Sequence, residues 1–299
     1  MFQGTLAMAA LRQFDIAQNE LGIGDIVCSL YALYGFAVDH GFPPIRLHMA
    51  DHRTWLELVE FPGLQVLPWD DASPPHIDFR LGDTEEDYRA KLASGVDPKL
   101  WYARKLATTP RQPPVVAATR CAEAPFAEPY VVLAPFATRI NRTWEIHHWR
   151  ILARELMAAG YEVIALDAPH QPERCKEIGV RYFWGQPALR VGQILRHASL
   201  LVSCDSGMAH VAGLFDTPTV VVLTQQEPEK YYSMTGHQFA VPKQPCVRCR
   251  FQPALGYEEK CDFGCWALQS LSPVTVARQC LELLGAANAD RPGCTGRRD

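Results

Sequence analysis

Apolar positions along the chain fall into short runs that alternate with longer stretches of helical spacing, and that alternation gives the first reading. In the first half, a short apolar run near Phe14–Ala17 precedes the turn-rich LGIGD (Leu21–Asp25). Ile26–Val38 then shows apolar residues at helical spacing. Ile45–Met49 reads as a strand, DHRTWLELVEF as a helix, and Leu64–Trp69 as a second short strand. Strand, loop, helix and strand in this order predict a parallel α/β layer. Thr84–Leu106 is amphipathic and predicted helical, and the proline-rich Thr109–Pro114 breaks the pattern where an interdomain linker is expected.

The second half repeats the alternation more strictly. Tyr130–Phe136 is a buried-strand pattern that runs into the polar loop ATRINRTW. His147–Gly160 is an amphipathic helix with Gly160 as its stop, and Tyr161–Asp167 is the next strand. LRVGQILRHA reads as a helix, Leu200–Asp205 as a strand, SGMAHVAGLF as a helix, and Thr217–Thr224 as the strand closing the series. This is the pattern of an open, doubly wound sheet. Ser272–Gly285 is a capped helix, and residues 286–299 are expected to be a disordered tail.

Composition supports two domains. The 299 residues are 48% hydrophobic, enough for a core in each half, and the net charge of −4 is spread along the chain, with no strong nucleic-acid signal. The first residues lack the basic-then-apolar pattern of a signal peptide, and no apolar run is long enough to span a membrane. The expected location is cytoplasmic, where thiols stay reduced or bind metal.

Three loops carry candidate chemistry. Asp205-Ser206-Gly207 joins a strand to a helix whose N-terminal N–H groups can receive an anion. Gly207 permits close approach of a phosphate, Asp205 or Ser206 would cap the helix or hold a hydroxyl, and His210 follows one turn on. The alternative is a plain helix cap. Thr138, Arg139 and Arg142 lie just beyond the preceding strand, where ligands of open α/β sheets bind; the alternative is a solvated loop. Asp25, at the start of the first long helix, reads as an N-cap, or as a general base if it faces a ligand.

At these residues the chain resembles a known family. ATRINRTWEIHHWRILARELMAAGYEV, SCDSGMAHVAGLFDTPTVVVL and LGIGDIVCSLYALYGF are similar to segments of glycosyltransferase family 9, the ADP-heptose:lipopolysaccharide heptosyltransferases. The resemblance implies a GT-B fold, two Rossmann-like domains facing across a cleft. The N-terminal domain (1–114) would take the acceptor and the C-terminal domain (115–285) the nucleotide sugar. It implies an inverting, metal-independent transfer from a nucleotide diphosphate donor, an ADP-sugar carrying a heptose-like unit. Asp25 matches the family's base. Thr138 and Arg142 match contacts to the donor diphosphate, and Asp205, Ser206, Gly207 and His210 match the donor-binding loop and helix. Ala137 stands where many members have Ser or Thr, and Arg142 where many have Lys. The chain is short for the family in its acceptor-binding half, so the acceptor, sugar or protein, is the least transferable part.

Cys246, Cys249, Cys261 and Cys265 form a C-x2-C-x11-C-x3-C array. Four soft ligands in two close pairs suit a structural zinc or iron ion; reduced thiols and disulfides are the alternatives. The segment is similar to one in autotransporter heptosyltransferases, where it holds iron. Cys28 and Cys204 read as core residues. Trp144, Trp149 and Trp184 could stack on a base or sugar, with Trp149 better suited to the core, and Tyr231 and Tyr232 could line a cleft. The competing functional reading is a non-catalytic Rossmann-like binding protein with a structural metal site. An NAD-dependent oxidoreductase is disfavoured because no G-x-G-x-x-G follows a strand and opens a helix. A homo-oligomer is compatible with the sequence.

Overall fold

The structure is a computed structural model. It describes residues 14–18, 22–49, 53–68, 77–78, 96–116, 124–127, 129–167, 172–223, 228, 236–244, 261 and 264–289. The chain divides into two compact units, Met1–Arg120 and Cys121–Asp299.

In the first unit, β1 (Phe14–Gln18) leads to α1 (Ile23–Asp39), then β2 (Ile45–Met49), β3 (Leu64–Pro68), the two-residue β4 (Ile77–Asp78) and α2 (Pro98–Lys105). All four strands are parallel, in the order β3-β2-β1-β4. Every residue of α1 from Ile26 to Leu33 is buried, so this helix is covered on nearly all sides. The helix expected over Thr84–Leu106 starts, within the described residues, at Pro98. Asp97 accepts from Lys99 N–H at 2.9 Å and proline occupies the first turn, a strong start signal. The segment expected as a helix around Trp55 is a six-residue 3-10 turn, Arg53–Leu58, which buries Trp55, Leu56 and Leu58. It stops because Val59 enters a bridge with Val115.

The proline-rich stretch is fastened to this first unit. Arg111 N–H donates to Tyr31 O (2.9 Å), Glu60 N–H to Pro114 O (2.7 Å) and Val116 N–H to Leu58 O (3.0 Å). A Cβ on Gly35 would fall 2.0 Å from Thr109 O, so only glycine lets this stretch lie against α1. Prolines end the helix before them, yet their carbonyls still accept hydrogen bonds.

The second unit contains β5 (Tyr130–Ala134), α3 (Ile146–Ala158), β6 (Glu162–Asp167), α4 (Pro172–Lys176), β7 (Arg181–Trp184), α5 (Ala188–His197), β8 (Leu200–Cys204), α6 (Gly207–Leu214), β9 (Thr219–Val222), β10 (Gln238–Ala240), α7 (Trp266–Gln269) and α8 (Pro273–Ala289). The sheet is parallel, in the order β10-β9-β8-β5-β6-β7. Strand order therefore reverses between β5 and β8, the doubly wound Rossmann arrangement. Both central strands are buried at every residue, which is why they read as unbroken apolar runs.

On α3, Trp149, Leu152, Ala153 and Leu156 form one buried stripe against the sheet. Burying a leucine-sized side chain contributes about 1.5–3 kcal/mol, so this stripe sets the helix's rotation. Gly160, at φ +92°, ends the turn after α3. The strand around Thr217–Thr224 does not close the series, because β10 pairs beyond it. The C-terminal helix runs four residues past Gly285 to Ala289, which corrects the expected start of the tail at 286. Gly285 does not adopt a left-handed conformation, and the alanines that follow favour continued helix. Among the described residues no helix is long and apolar enough to cross a membrane.

Candidate functional site

The register of the second sheet brings two of the candidate loops together. Ala134 of β5 lies beside Ser203 of β8, so the chains leaving these strands start level at the carboxyl edge, where the strand order reverses. In open α/β sheets that edge is where ligands bind. The loop after β5 carries Thr138, Arg139 and Ile140 exposed, then Arg142 half-buried. The chain leaving β8 carries Asp205, buried, then Ser206 and Gly207 at the start of α6.

The two loops meet at an ion pair. Arg142 Nη1 lies 3.7 Å from Asp205 Oδ2 and donates to Asp205 O at 3.5 Å. Asp205 is 4% exposed, so the pair is poorly solvated and its separation is long. A pair of this kind contributes little to stability because desolvation offsets its attraction. Its consequence is that a guanidinium stands beside the opening of α6.

That opening is not a side-chain cap. Ser206 takes the N-cap position in extended conformation without a capping hydrogen bond, and its hydroxyl lies 3.1 Å from Ser203 Oγ instead. The expected capping role therefore fails for Ser206, whose hydroxyl is directed to the strand. The helix start, the Arg142 guanidinium and the Asp205 carboxylate thus meet at the switch point. His210, one turn into α6, is buried.

Hydrogen bonds within the β5 loop hold it in shape. Thr143 Oγ1 accepts from Ala137 N–H at 3.3 Å and donates to Arg139 O at 3.2 Å. Arg142 N–H and Thr143 N–H donate to Arg139 O and Ile140 O, closing one 3-10 turn, Ile140–Arg142. Cys204, at the end of β8, donates its thiol to Pro135 O at 3.2 Å. Burial pushes that thiol up to about 12, against a smaller effect from the Trp144 main chain, so Cys204 stays protonated and structural. Thr143 is the residue here that the sequence did not reveal, because its role lies in main-chain contacts that leave no motif.

The three indoles separate by exposure. Trp144 and Trp149 are completely buried and packed edge to face, which rules out stacking on a ligand for Trp144 as well as Trp149. Trp184, at the carboxyl end of β7, is 49% exposed. Tyr231 and Tyr232 lie outside the described residues.

In the first unit, Asp25 is not the N-cap of α1. Gly22 holds that position, and Asp25 lies in the first turn, half-buried. Tyr102, fully buried on α2, donates to Asp25 Oδ1 at 3.3 Å and so orients the carboxylate.

Of the cysteine array, Cys246 and Cys249 lie outside the described residues. Cys261 and Cys265 are buried, and Gly264 N–H donates to Cys261 O at 3.1 Å in the turn between them. Two buried cysteines four positions apart have the residue type of half of a four-thiolate set. Among the described residues no group of three or more metal-ligating side chains occurs, as follows when only this half is described.

Comparison with known proteins places this geometry. The model of glycosyltransferase family 9 (heptosyltransferase) matches residues 105–255, half of the chain, including both loops at the switch point. The chain belongs to glycosyltransferase family 9. It is 31% identical over 105 residues to lipopolysaccharide heptosyltransferase 1 of Escherichia coli K12, 33% of each protein. The matched part therefore spans about a third of that curated relative's length. Among solved structures, the dodecameric iron-containing heptosyltransferase TibC in complex with ADP-D-beta-D-heptose superposes with a TM-score of 0.71 at 20% identity. That superposition covers 92% of this chain and 77% of TibC, which comes from enterotoxigenic E. coli H10407. The ADP-heptose lps heptosyltransferase II of E. coli gives a TM-score of 0.63 at 13% identity, covering 93% of this chain and 100% of that one. The fold class is α/β of the GT-B type, with two Rossmann-like units.

Proposed function

We propose that this family 9 member is an inverting glycosyltransferase that moves a heptose-like sugar from an ADP-linked donor to an acceptor hydroxyl. The observation that carries the reading is the meeting of Arg142 and Asp205 at the switch point of the second sheet, beside the start of α6, where Ser206 makes no capping hydrogen bond. A diphosphate needs several converging donors, and here the Arg142 guanidinium, the first N–H groups of α6 and the Thr138 hydroxyl would supply them. The Ser206 hydroxyl and the Gly207 main chain would border the same anion, with Asp205 holding Arg142 and buried His210 supporting the helix. The relatives point to the donor: TibC was solved with ADP-D-beta-D-heptose, and the E. coli relative of comparable fold is named for ADP-heptose.

Asp25 would take the proton of the acceptor hydroxyl. The acceptor oxygen then forms its bond to the anomeric carbon as the bond from that carbon to the diphosphate oxygen breaks. The nucleotide diphosphate leaves with the electron pair, and Arg142 with the start of α6 stabilises the charge that develops on it. Tyr102 keeps the Asp25 carboxylate aimed.

Cys246, Cys249, Cys261 and Cys265 would hold a structural zinc or iron ion; TibC is an iron-containing relative of the same fold. A closed four-thiolate set leaves no open coordination position, so such an ion would supply rigidity. The acceptor is a sugar or a protein hydroxyl, the chain acts on the cytoplasmic side, and an oligomer is in keeping with dodecameric TibC. The domain assignment follows: residues 1–114 serve the acceptor and 115–285 the donor.

Thermal stabilisation by ADP, UDP, GDP and CMP at matched millimolar concentration tests the reading. A ligand present at about 100 times its Kd adds roughly 2.7 kcal/mol of stability. Selective stabilisation by ADP is expected. Selectivity for UDP or GDP would replace the donor, and no stabilisation by any of them would favour a binding protein without turnover.

A further inference from the structure

One side chain joins the C-terminal part of the second unit to the β5 loop. Gln269 is the last residue of α7; its Oε1 accepts from Glu145 N–H at 2.8 Å and its Nε2 donates to Thr143 O at 3.2 Å. Both faces of the amide are thus engaged by main-chain groups, two residues apart, at the end of the loop that carries Arg142. Thr143 passes the restraint on, since its hydroxyl bridges Ala137 N–H and Arg139 O and its N–H closes the turn at Ile140. This loop has no regular structure beyond one 3-10 turn, so few bonds decide its shape.

The other end of the link is the cysteine-bearing turn. Gln269 N–H donates to Cys265 O at 3.1 Å, and Cys265 is the N-cap of α7. Between them Ala267 and Leu268 are buried in the core of the unit. A single helical turn pinned by two buried residues is rigid, so a shift of Cys265 is carried to the Gln269 amide.

We propose that Gln269 is a positioning residue that ties the Arg142 loop to the cysteine-bearing turn, so that the integrity of this turn sets how well the loop holds a nucleotide diphosphate. The link itself stands on the hydrogen bonds; its effect on nucleotide rests on the function proposed above.

Hydrogen–deuterium exchange of the full-length protein over residues 137–145, with ADP titration calorimetry alongside, tests the proposal. Gln269→Ala is expected to speed exchange in that segment about tenfold, the change that corresponds to about 1.4 kcal/mol, and to leave β5 and β8 unaffected. ADP affinity should fall by a similar factor. Gln269→Glu keeps an acceptor for Glu145 N–H but sets a carboxylate oxygen against Thr143 O, and should loosen the loop as well. Cys265→Ser should speed exchange in the same segment in the wild-type background and add nothing in the Gln269→Ala background. Unchanged exchange in Gln269→Ala, or additive effects of the two substitutions, would overturn the link. If the wild-type protein binds none of the nucleotides, the proposed function falls while the exchange measurements still decide the link.

Discussion

The carboxyl edge of the second sheet and the start of α1 in the first unit carry the two halves of the proposed chemistry, and they are built differently. At the first, two neighbouring strands deliver two loops, and an ion pair, a thiol-to-carbonyl bond and the Thr143 bridges hold them in one arrangement. At the second, a carboxylate in a helical first turn accepts a hydrogen bond from the Tyr102 hydroxyl. The difference follows from the tasks. Binding a nucleotide diphosphate and the charge it gains on departure takes several donors with fixed geometry, so it depends on tertiary structure. Removing one proton takes one base, which a short motif can supply.

Four measurements press on that contrast. Asp25→Asn should lower kcat about a thousandfold, within the usual range for loss of a general base, with ADP affinity retained. Equal loss of both would remove the base role and make the first unit a part of the donor site. Arg142→Ala should lower kcat/KM about a hundredfold, the scale seen when one stabilising donor is removed, and weaken ADP binding as well. A purely kinetic effect would mean Arg142 acts only on the departing charge.

Tyr102→Phe removes a single hydrogen bond worth about 1 kcal/mol and should reduce kcat about fivefold without altering ADP affinity. No change would show that the start of α1 orients Asp25 unaided. The smallest effect concerns pH. His148 is held below its ordinary value of 6.5, first by burial and then by neighbouring His147, against the opposing influence of Glu145 and Gln269. As pH falls below 6.5 the unfolded chain takes up a proton that the folded chain resists, so stability declines with acidification through that window. His148→Phe preserves the stack on Trp144 and should flatten this decline in urea midpoints; an unchanged slope would assign it to other groups.

Much of the second unit was legible in the sequence because its central strands are buried on both faces and its helices carry one apolar stripe. β5, α3, β6, α5, β8, α6 and β9 all fall where periodicity predicts them. β7 and β10 did not, since both lie at the sheet's edges, with mixed exposure and only a few residues each. In the first unit, the Trp55 segment has helical composition but is cut short by the Val59–Val115 bridge, a contact between residues far apart in the chain. The roles suggested for Ser206 and Trp144 also depended on side-chain direction, which spacing does not reveal.

Local periodicity and short motifs were enough to specify the α/β class, the strand–loop–helix positions of Asp25, Arg142 and Asp205, and the resemblance to family 9. Long-range packing sets the rest: the reversal of strand order between β5 and β8, the meeting of Arg142 with Asp205 there, and the Gln269 bonds to the loop that carries Arg142. Each of these joins residues separated by dozens of positions, and such pairings are fixed by how the layers pack.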